Sequence, residues 1–156
     1  MSIEKTLIFI KPYIELAKAE EILEYGYAQL KKRGDNPKVI EDFITFQLPL
    51  DFFLEFYSQI GERYPEVLQT MASDFSSCPH GLRGHILKGE DIIEKYRLIL
   101  GPRIIEQNPP WTIRGRYGEY KRDGKGHRTV AHCSTRDEAQ KDFMIFKKWN
   151  LISKLA

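Results

Sequence analysis

The chain has few cysteines, no long apolar stretch and no marked surplus of either charge. Cys78 and Cys133 are the two cysteines in 156 residues. Neither has a Cys-x-x-Cys or Cys/His ligand spacing, which argues against a disulfide framework and against a zinc site. The longest apolar run near the N-terminus, Leu7-Ile8-Phe9-Ile10, is closed by Lys11 and is too short to span a bilayer. No signal-peptide pattern precedes it, so no membrane partner and a cytoplasmic address are expected. A net charge of +2, from 24 basic and 22 acidic side chains, is too small to imply a nucleic-acid partner from composition. Repeats, low-complexity linkers and breaks in composition are missing as well. Residues 1–156 are therefore expected to form one domain, with 42% apolar and 29% charged residues as in ordinary globular chains.

The charge that is present is unevenly spread. Arg114, Arg116, Lys121, Arg122, Lys125, His127 and Arg128 crowd into one segment against Glu119 and Asp123. Such a basic stretch in a nearly neutral chain points to a compact anion such as phosphate as readily as to a polymer. Periodicity then orders the elements. Thr6 to Ile10 is β-branched or apolar on both faces, as in a strand covered on both sides. Leu16, Ala19, Leu23, Tyr27 and Leu30 make the stripe of a helix from about Glu15 to Arg33, ended by Gly34. Lys38 to Leu48 reads as a long strand. Asp51 to Ile60 and Glu62 to Ser73 read as a helical pair broken near Gly61 and Pro65. A short strand over Leu82 to Leu87 and a helix over Gly89 to Leu100 follow. Pro109-Pro110 rules out helix in the loop from Arg103 to Trp111. Arg128 to His132 is a short strand, and Thr135-x-x-Glu138 is a capping-box pattern opening a last helix to about Trp149. The order predicts an α+β sandwich of the ferredoxin-like split βαβ type, a mostly antiparallel four-stranded sheet with helices packed on it.

Several charges stand where apolar residues belong. Arg97 shares the spacing of Ile93, Tyr96 and Leu100, and Asp142 that of Ala139, Phe143 and Phe146. Lys11 ends the strand face of Leu7 and Phe9, and His132 ends a short strand after Val130. Each alone fits a boundary residue with a packed stem and a hydrated head. Four of them, all near element ends, favour a shared polar site, because an unpaired charge on an apolar face is costly.

These residues carry a resemblance. Ile8-Phe9-Ile10-Lys11-Pro12 resembles the opening strand and Lys-Pro of nucleoside diphosphate kinases. Trp111-Thr112-Ile113-Arg114-Gly115 is similar to their Gly-Thr-Ile-Arg-Gly loop. Thr129-Val130-Ala131-His132-Cys133-Ser134 is similar to the Asn-x-x-His-Gly-Ser segment that bears their phosphorylated histidine. Arg97, four residues before Gly101, and Tyr57 fall at a family arginine and tyrosine, and the element order agrees along essentially the whole chain. The resemblance implies a ping-pong transfer in which a nucleoside triphosphate phosphorylates His132 and a nucleoside diphosphate then takes the group. Asp142, at the family's glutamate position, would hold the other ring nitrogen. Lys11, Arg97 and Arg114 would neutralise phosphate charge, and Tyr57 would donate near the γ-phosphate. Mg²⁺ would come with the nucleotide, with no dedicated metal cage. A homo-oligomer, hexameric or smaller, is also implied. Tyr64 fits either a base-stacking aromatic or a core tyrosine covering a helix break.

The pattern departs from the family near the chemistry. Lys-Pro-Asp-Gly becomes Lys11-Pro12-Tyr13-Ile14, and the family's asparagine is Thr129, which keeps an oxygen but loses two donors. The glycine after the histidine is Cys133, a buried inert thiol or, beside cations, a reactive one. A phosphate-contacting threonine is Arg103, which could add a phosphate contact. An insertion around Lys121 to Gly126, with the hairpin-turn signal Asp123-Gly124, reads as a basic flap or a solvated loop. Two rivals stand beside the kinase. One is a nucleotide-binding module that transfers poorly. The other is an RNA-binding sheet, against which Phe43 and Phe46 are out of phase for one strand face. His80, His85 and His127 have no ligand-like spacing and read as surface or structural histidines.

Overall fold

Leu7 to Ile10, at the end of strand β1 (Ile3–Ile10), are fully buried, as a strand covered on both faces must be. They belong to a computed structural model that describes residues 2–120 and 127–153. The chain continues through α1 (Leu16–Lys32), β2 (Lys38–Ile44), α2 (Leu50–Phe56), α3 (Ser58–Arg63), α4 (Pro65–Ser77), β3 (Arg83–Glu90) and α5 (Ile92–Leu100). A 3₁₀ turn (Ile105–Gln107), α6 (Ile113–Tyr117), β4 (Glu119–Tyr120), β5 (His127–Arg128), β6 (Ala131–Cys133) and α7 (Ala139–Lys148) complete it. The main sheet has the order β2-β3-β1-β6, with every neighbouring pair antiparallel. β1 and β2 are thus parallel, joined by α1 across β3, and β3 and β6 are parallel, joined through α5 across β1. This is the α+β split βαβ arrangement expected from the element order.

α1 and α5 pack on one face of the sheet, while α2 and α7 close the other. On the second face Phe9, Phe43, Phe52, Phe56 and Phe146 meet ring to ring, with Phe146 touching all four others at 5.5–5.7 Å between centroids. Aromatic pairs at this spacing add to their area burial. β3 can lie against both neighbours because residue 84 is glycine. A Cβ there would overlap the carbonyl oxygen of Ile8 and the ring of Phe43. No helix among the described residues is long and apolar enough to cross a membrane.

Several expected boundaries move. β2 stops at Ile44, not Leu48, because the Thr45 hydroxyl accepts the Leu82 amide and donates to the Phe46 carbonyl, turning the chain. Phe46 is left 62% exposed beyond the sheet, and Phe43 is buried under α7, so the two aromatics form no RNA-stacking platform. The expected helical pair is three helices, broken at Tyr57 and Tyr64. Arg97 is exposed, and Ile99 takes the inward place on α5. The segment after the proline loop holds a short helix, α6, that periodicity does not signal. The basic stretch from Lys121 to Gly126 lies outside the described residues, flanked by the antiparallel pair β4–β5.

On the α1 face, Arg83 is buried and makes a two-pronged pair with Glu20, at 2.6 and 3.1 Å, while reaching Asp42 at 3.3 Å. Beside it His85 is 5% exposed, with Nδ1 3.8 Å from Asp42 and Nε2 without a hydrogen-bond partner among the described residues. Burial pushes the imidazole down to about 4, against the partial pull of Asp42. An unfolded histidine titrates near 6.5, so between about pH 6.5 and 4 the unfolded chain binds the extra proton. Stability should therefore fall as pH drops through that window. Urea denaturation midpoints of wild type and His85→Phe should diverge there, the variant losing less; parallel curves would show that His85 does not titrate as placed.

Candidate active site

His132 sits in the middle of β6, paired with Phe9 of β1. Its ring lies against the Phe9 ring (5.0 Å, 18° between planes) and edge-on to Phe56 (5.0 Å, 76°), with Tyr57 at 6.2 Å. Nε2 is 2.8 Å from Oδ2 of Asp142. The same oxygen accepts the Ser134 hydroxyl at 2.6 Å. Asp142 is 4% exposed between Phe143 and the rest of the α7 stripe. Thr135 and Glu138 aim it there. Their reciprocal bonds, Glu138 N–H to Thr135 Oγ1 (3.2 Å) and Thr135 N–H to Glu138 Oε1 (3.4 Å), are those of the expected capping box, but they form the turn ahead of α7, whose first residue is Ala139 and not Thr135. An ionised carboxylate only accepts, so in the neutral ring the proton beside it sits on Nε2 and the lone pair on Nδ1.

Two residues before the histidine the backbone reverses hand. Val130 has φ +73°, a conformation that a β-branched residue rarely takes and that costs about 1–3 kcal/mol. It also ends the strand predicted over Arg128 to His132, leaving β5 to pair with β4 and β6 with β1. Neighbours hold it there. The Val130 amide donates to the Tyr13 hydroxyl (2.7 Å), its carbonyl accepts the Lys11 amide (2.8 Å), and its side chain is fully buried. Tyr13 is the functional-site residue that sequence reasoning passed over, although it stands where the resemblance breaks. Ser134, quoted only as part of a motif, likewise proves to share the Asp142 carboxylate.

Cations gather on the open side. Lys11 Nζ donates to the Thr129 hydroxyl at 2.6 Å. Arg97, reaching in from its exposed position, donates to the Cys133 carbonyl at 3.1 Å. Arg114 is largely committed to backbone: Nε to Thr129 O (3.0 Å), one terminal nitrogen to Gly101 O (2.9 Å), the other to Ala131 O (3.2 Å). Three of the five donors a guanidinium offers thus tie the His132 strand to the turn after α5. Burial first, then the charges of Arg103 and Arg97, push Arg114 down to about 10. Two guanidinium charges close enough to disfavour a third make a region that favours an anion. Gly101, at φ +89°, leaves room for Asn108, which holds the loop by bonds to Pro102 O (2.7 Å) and Ile104 O (2.9 Å) and accepts the Thr112 hydroxyl (2.9 Å).

Tyr57 adds a donor. Its hydroxyl is buried without a hydrogen-bond partner among the described residues. Burial, then the Asp142 charge, holds it far above the usual phenol range, so it stays protonated. Tyr64 is different: it is 56% exposed, with the Arg63 guanidinium 6.0 Å from its ring, and no hydrogen bond or ring contact among the described residues links it to this cluster. Cys133 is 4% exposed and its thiol is pushed up to about 11 by burial, against the hydrogen bond with Thr6 at 3.5 Å. No group of three or more histidine, cysteine or acidic side chains that could hold a metal occurs among the described residues.

Two outcomes test this geometry. Tyr13→Phe strands the Val130 amide and should lower stability by about 1–2 kcal/mol in urea denaturation, with the loss centred on amide exchange at Val130 and Ala131. Iodoacetamide at pH 8 should modify Cys78 well before Cys133, as read by mass spectrometry of the native chain; equal rates would contradict the buried, raised thiol.

No family model and no curated protein sequence matches the chain. Solved structures do. A nucleoside diphosphate kinase from Aquifex aeolicus aligns over 97% of this chain and 100% of its own, at 25% identity and a TM-score of 0.68. One from Borrelia burgdorferi, solved with vanadate and ADP, aligns over 99% and 92%, at 20% identity and 0.73. One from Halobacterium salinarum, in complex with CDP, aligns over 99% and 94%, at 16% identity and 0.71. From end to end this chain is similar to nucleoside diphosphate kinases, and it has their fold.

Proposed function

We propose that the chain is a nucleoside diphosphate kinase working through a phosphohistidine at His132. The observation that carries the reading is the 2.8 Å contact of Nε2 with Asp142, which leaves Nδ1 for a phosphoryl group that Lys11, Arg97, Arg103 and Arg114 would hold. In the first half-reaction Nδ1 bonds to the γ-phosphorus of a nucleoside triphosphate. The bond from that phosphorus to the β–γ bridging oxygen breaks, and the nucleoside diphosphate leaves. A second nucleoside diphosphate reverses these steps with its β-oxygen. Asp142 stabilises the positive ring that forms, and Ser134 holds the carboxylate in place. Tyr57 supplies its idle hydroxyl to a non-bridging oxygen. Lys11, Arg97, Arg103 and Arg114 offset the charge spread over the transferring group, which is most of what this reaction asks of a protein. Mg²⁺ would enter as part of the nucleotide substrate and offset phosphate charge.

Thr129 takes its place in this scheme through Lys11, whose ammonium it accepts. Tyr64, at the exposed break before α4, is left as the candidate to stack on a base. A cytoplasmic homo-oligomer, hexameric or smaller, accompanies the reading. The substitutions at Thr129, Cys133 and Arg103 favour one second reading, a module that binds nucleotide and transfers slowly.

The full chain should be incubated with γ-labelled ATP and Mg²⁺, washed, and assayed for acid-labile, base-stable label. Wild type should be labelled and should pass its label to GDP or CDP, while His132→Ala should take none. Asp142→Asn should lose at least about tenfold in labelling rate, equivalent to ~1.4 kcal/mol of barrier. ATP binding without label would leave the second reading, and no ATP binding would defeat both.

A further inference from the structure

At the end of the sheet opposite His132, strand β1 runs on past the partner it has there. β6 pairs with Ile8, Phe9 and Ile10 only, and one further bond, from the Ser134 amide to the Leu7 carbonyl at 3.4 Å, closes the ladder. The chain then turns away into the capping box. The hydrogen-bonding sense along β1 follows from its two edges. Lys11 and Leu7 bond toward the β6 side, and Ser2 accepts from Asp91 on the β3 side, so the odd-numbered residues present their backbone groups to the β6 edge. The amides and carbonyls of Ile3 and Lys5 therefore point past the end of β6, where they meet no backbone partner among the described residues.

An unpaired stretch of edge is a ready template for another strand, and here it opens into a groove of about 630 Å³. Ile93 of α5 lines it from one helical layer, and Ala139 and Phe143 of α7 line it from the other. These three are 5–8% exposed while Ile3 is 66% exposed. The groove thus has apolar contacts from both helical layers, a polar rim of Glu4, Lys5, Lys88, Arg136 and Gln140, and hydrogen-bonding backbone along one side, the shape of a slot for one more strand.

Lys5, Lys88 and Arg136 outnumber Glu4 in its lining. Lys5 stands directly across from Lys88, and Lys88 directly across from Lys38, so three lysines form a row over β1, β3 and β2. Like charges directly opposite one another on a sheet are destabilising. No carboxylate lies within ion-pair distance of any of the three among the described residues. Arg136 adds a guanidinium at the rim, bound to Glu4 at 2.7 Å. Folding gains nothing from this row, whereas an acidic partner would.

We propose that the β1 edge from Ile3 to Lys5 is a docking slot for an extended, acidic segment of another protein, which adds to the sheet in line with β6. Backbone bonds to Ile3 and Lys5 set the register, an apolar side chain enters between Ile93 and Phe143, and flanking carboxylates meet Lys5 and Lys88. Main-chain pairing with side-chain pockets is a known mode of peptide capture. The slot rests on the fold alone and is independent of any chemistry at His132.

The probe is a fluorescein-labelled, end-capped peptide of alternating glutamate and valine, titrated against the full chain by anisotropy. Saturable binding is expected below millimolar concentration, with amides of Ile3 and Lys5 gaining protection from hydrogen exchange. The same peptide N-methylated on alternate residues should bind at least about tenfold more weakly, as expected for losing backbone bonds. The double variant Lys5→Glu with Lys88→Glu should do the same while labelling with ATP is unchanged. No saturable binding overturns the slot. So does equal binding of the N-methylated peptide, or displacement by polyphosphate or single-stranded RNA without protection of Ile3 and Lys5, either of which reduces the site to bare charge. If the double variant does not fold, the N-methylated peptide still decides.

Discussion

A carboxylate among phenylalanines has to be bonded or it unfolds its surroundings, and Asp142 meets that demand with the imidazole of His132 and the hydroxyl of Ser134 on a single oxygen. Removing one partner would leave a buried charge short of donors, an expensive state. The requirement therefore runs in both directions. The histidine is oriented by the carboxylate, and the carboxylate is tolerable only because the histidine and serine are there. The aromatic packing of Phe9, Phe56 and Phe146 around them keeps water from relaxing the arrangement, and a low local dielectric strengthens the bonds it encloses.

The strand that carries His132 is three residues long, too short to hold a position by its own ladder. Support comes from outside it: the reversed backbone at Val130 caught by Tyr13 and Lys11, the Arg114 bonds to carbonyls on both sides, and the capping box ahead of α7. All are polar; the Val130 and Arg114 contacts join elements apart in sequence, and the capping box is local. The fold contributes a rigid β1, and the polar contacts transfer that rigidity to the site.

How much of this could be read beforehand depended on whether a residue's neighbours in sequence are also its neighbours in space. The two-sided burial of β1, the inward place of Asp142 and the capping box follow from short-range periodicity, and the structure has them; of the α1 stripe Ala19, Leu23 and Leu30 are buried, while Leu16 is exposed and Ile22 and Gly26 face in instead. Helix α5 shows the limit. Arg97 fits the stripe as well as Ile99 does, and only the docked position of the helix decides that Ile99 faces in. The pattern over Lys38 to Leu48 predicts too long a β2, because nothing in Thr45 announces that its hydroxyl accepts the Leu82 amide across 37 residues. The split βαβ sheet and the His132–Asp142 contact could be anticipated, whereas the Ser134 bond to the same carboxylate could not. The Tyr13–Val130 contact could not, because it spans 117 residues and involves a backbone conformation that valine seldom adopts.

Arg114 ties together three carbonyls, from Gly101, Thr129 and Ala131, and its planar fork has little freedom to follow one of them without the others. The turn behind α5 and the two residues flanking Val130 are thus fastened like spokes to one hub. A push on the proline-containing loop that Asn108 braces would be felt at the histidine as a change of aim and not as slack. Reacting groups lose much of their advantage when misplaced by about an ångström. Whatever grips that loop from outside would therefore act as a focusing screw for the His132 strand, although it touches neither the imidazole nor Asp142.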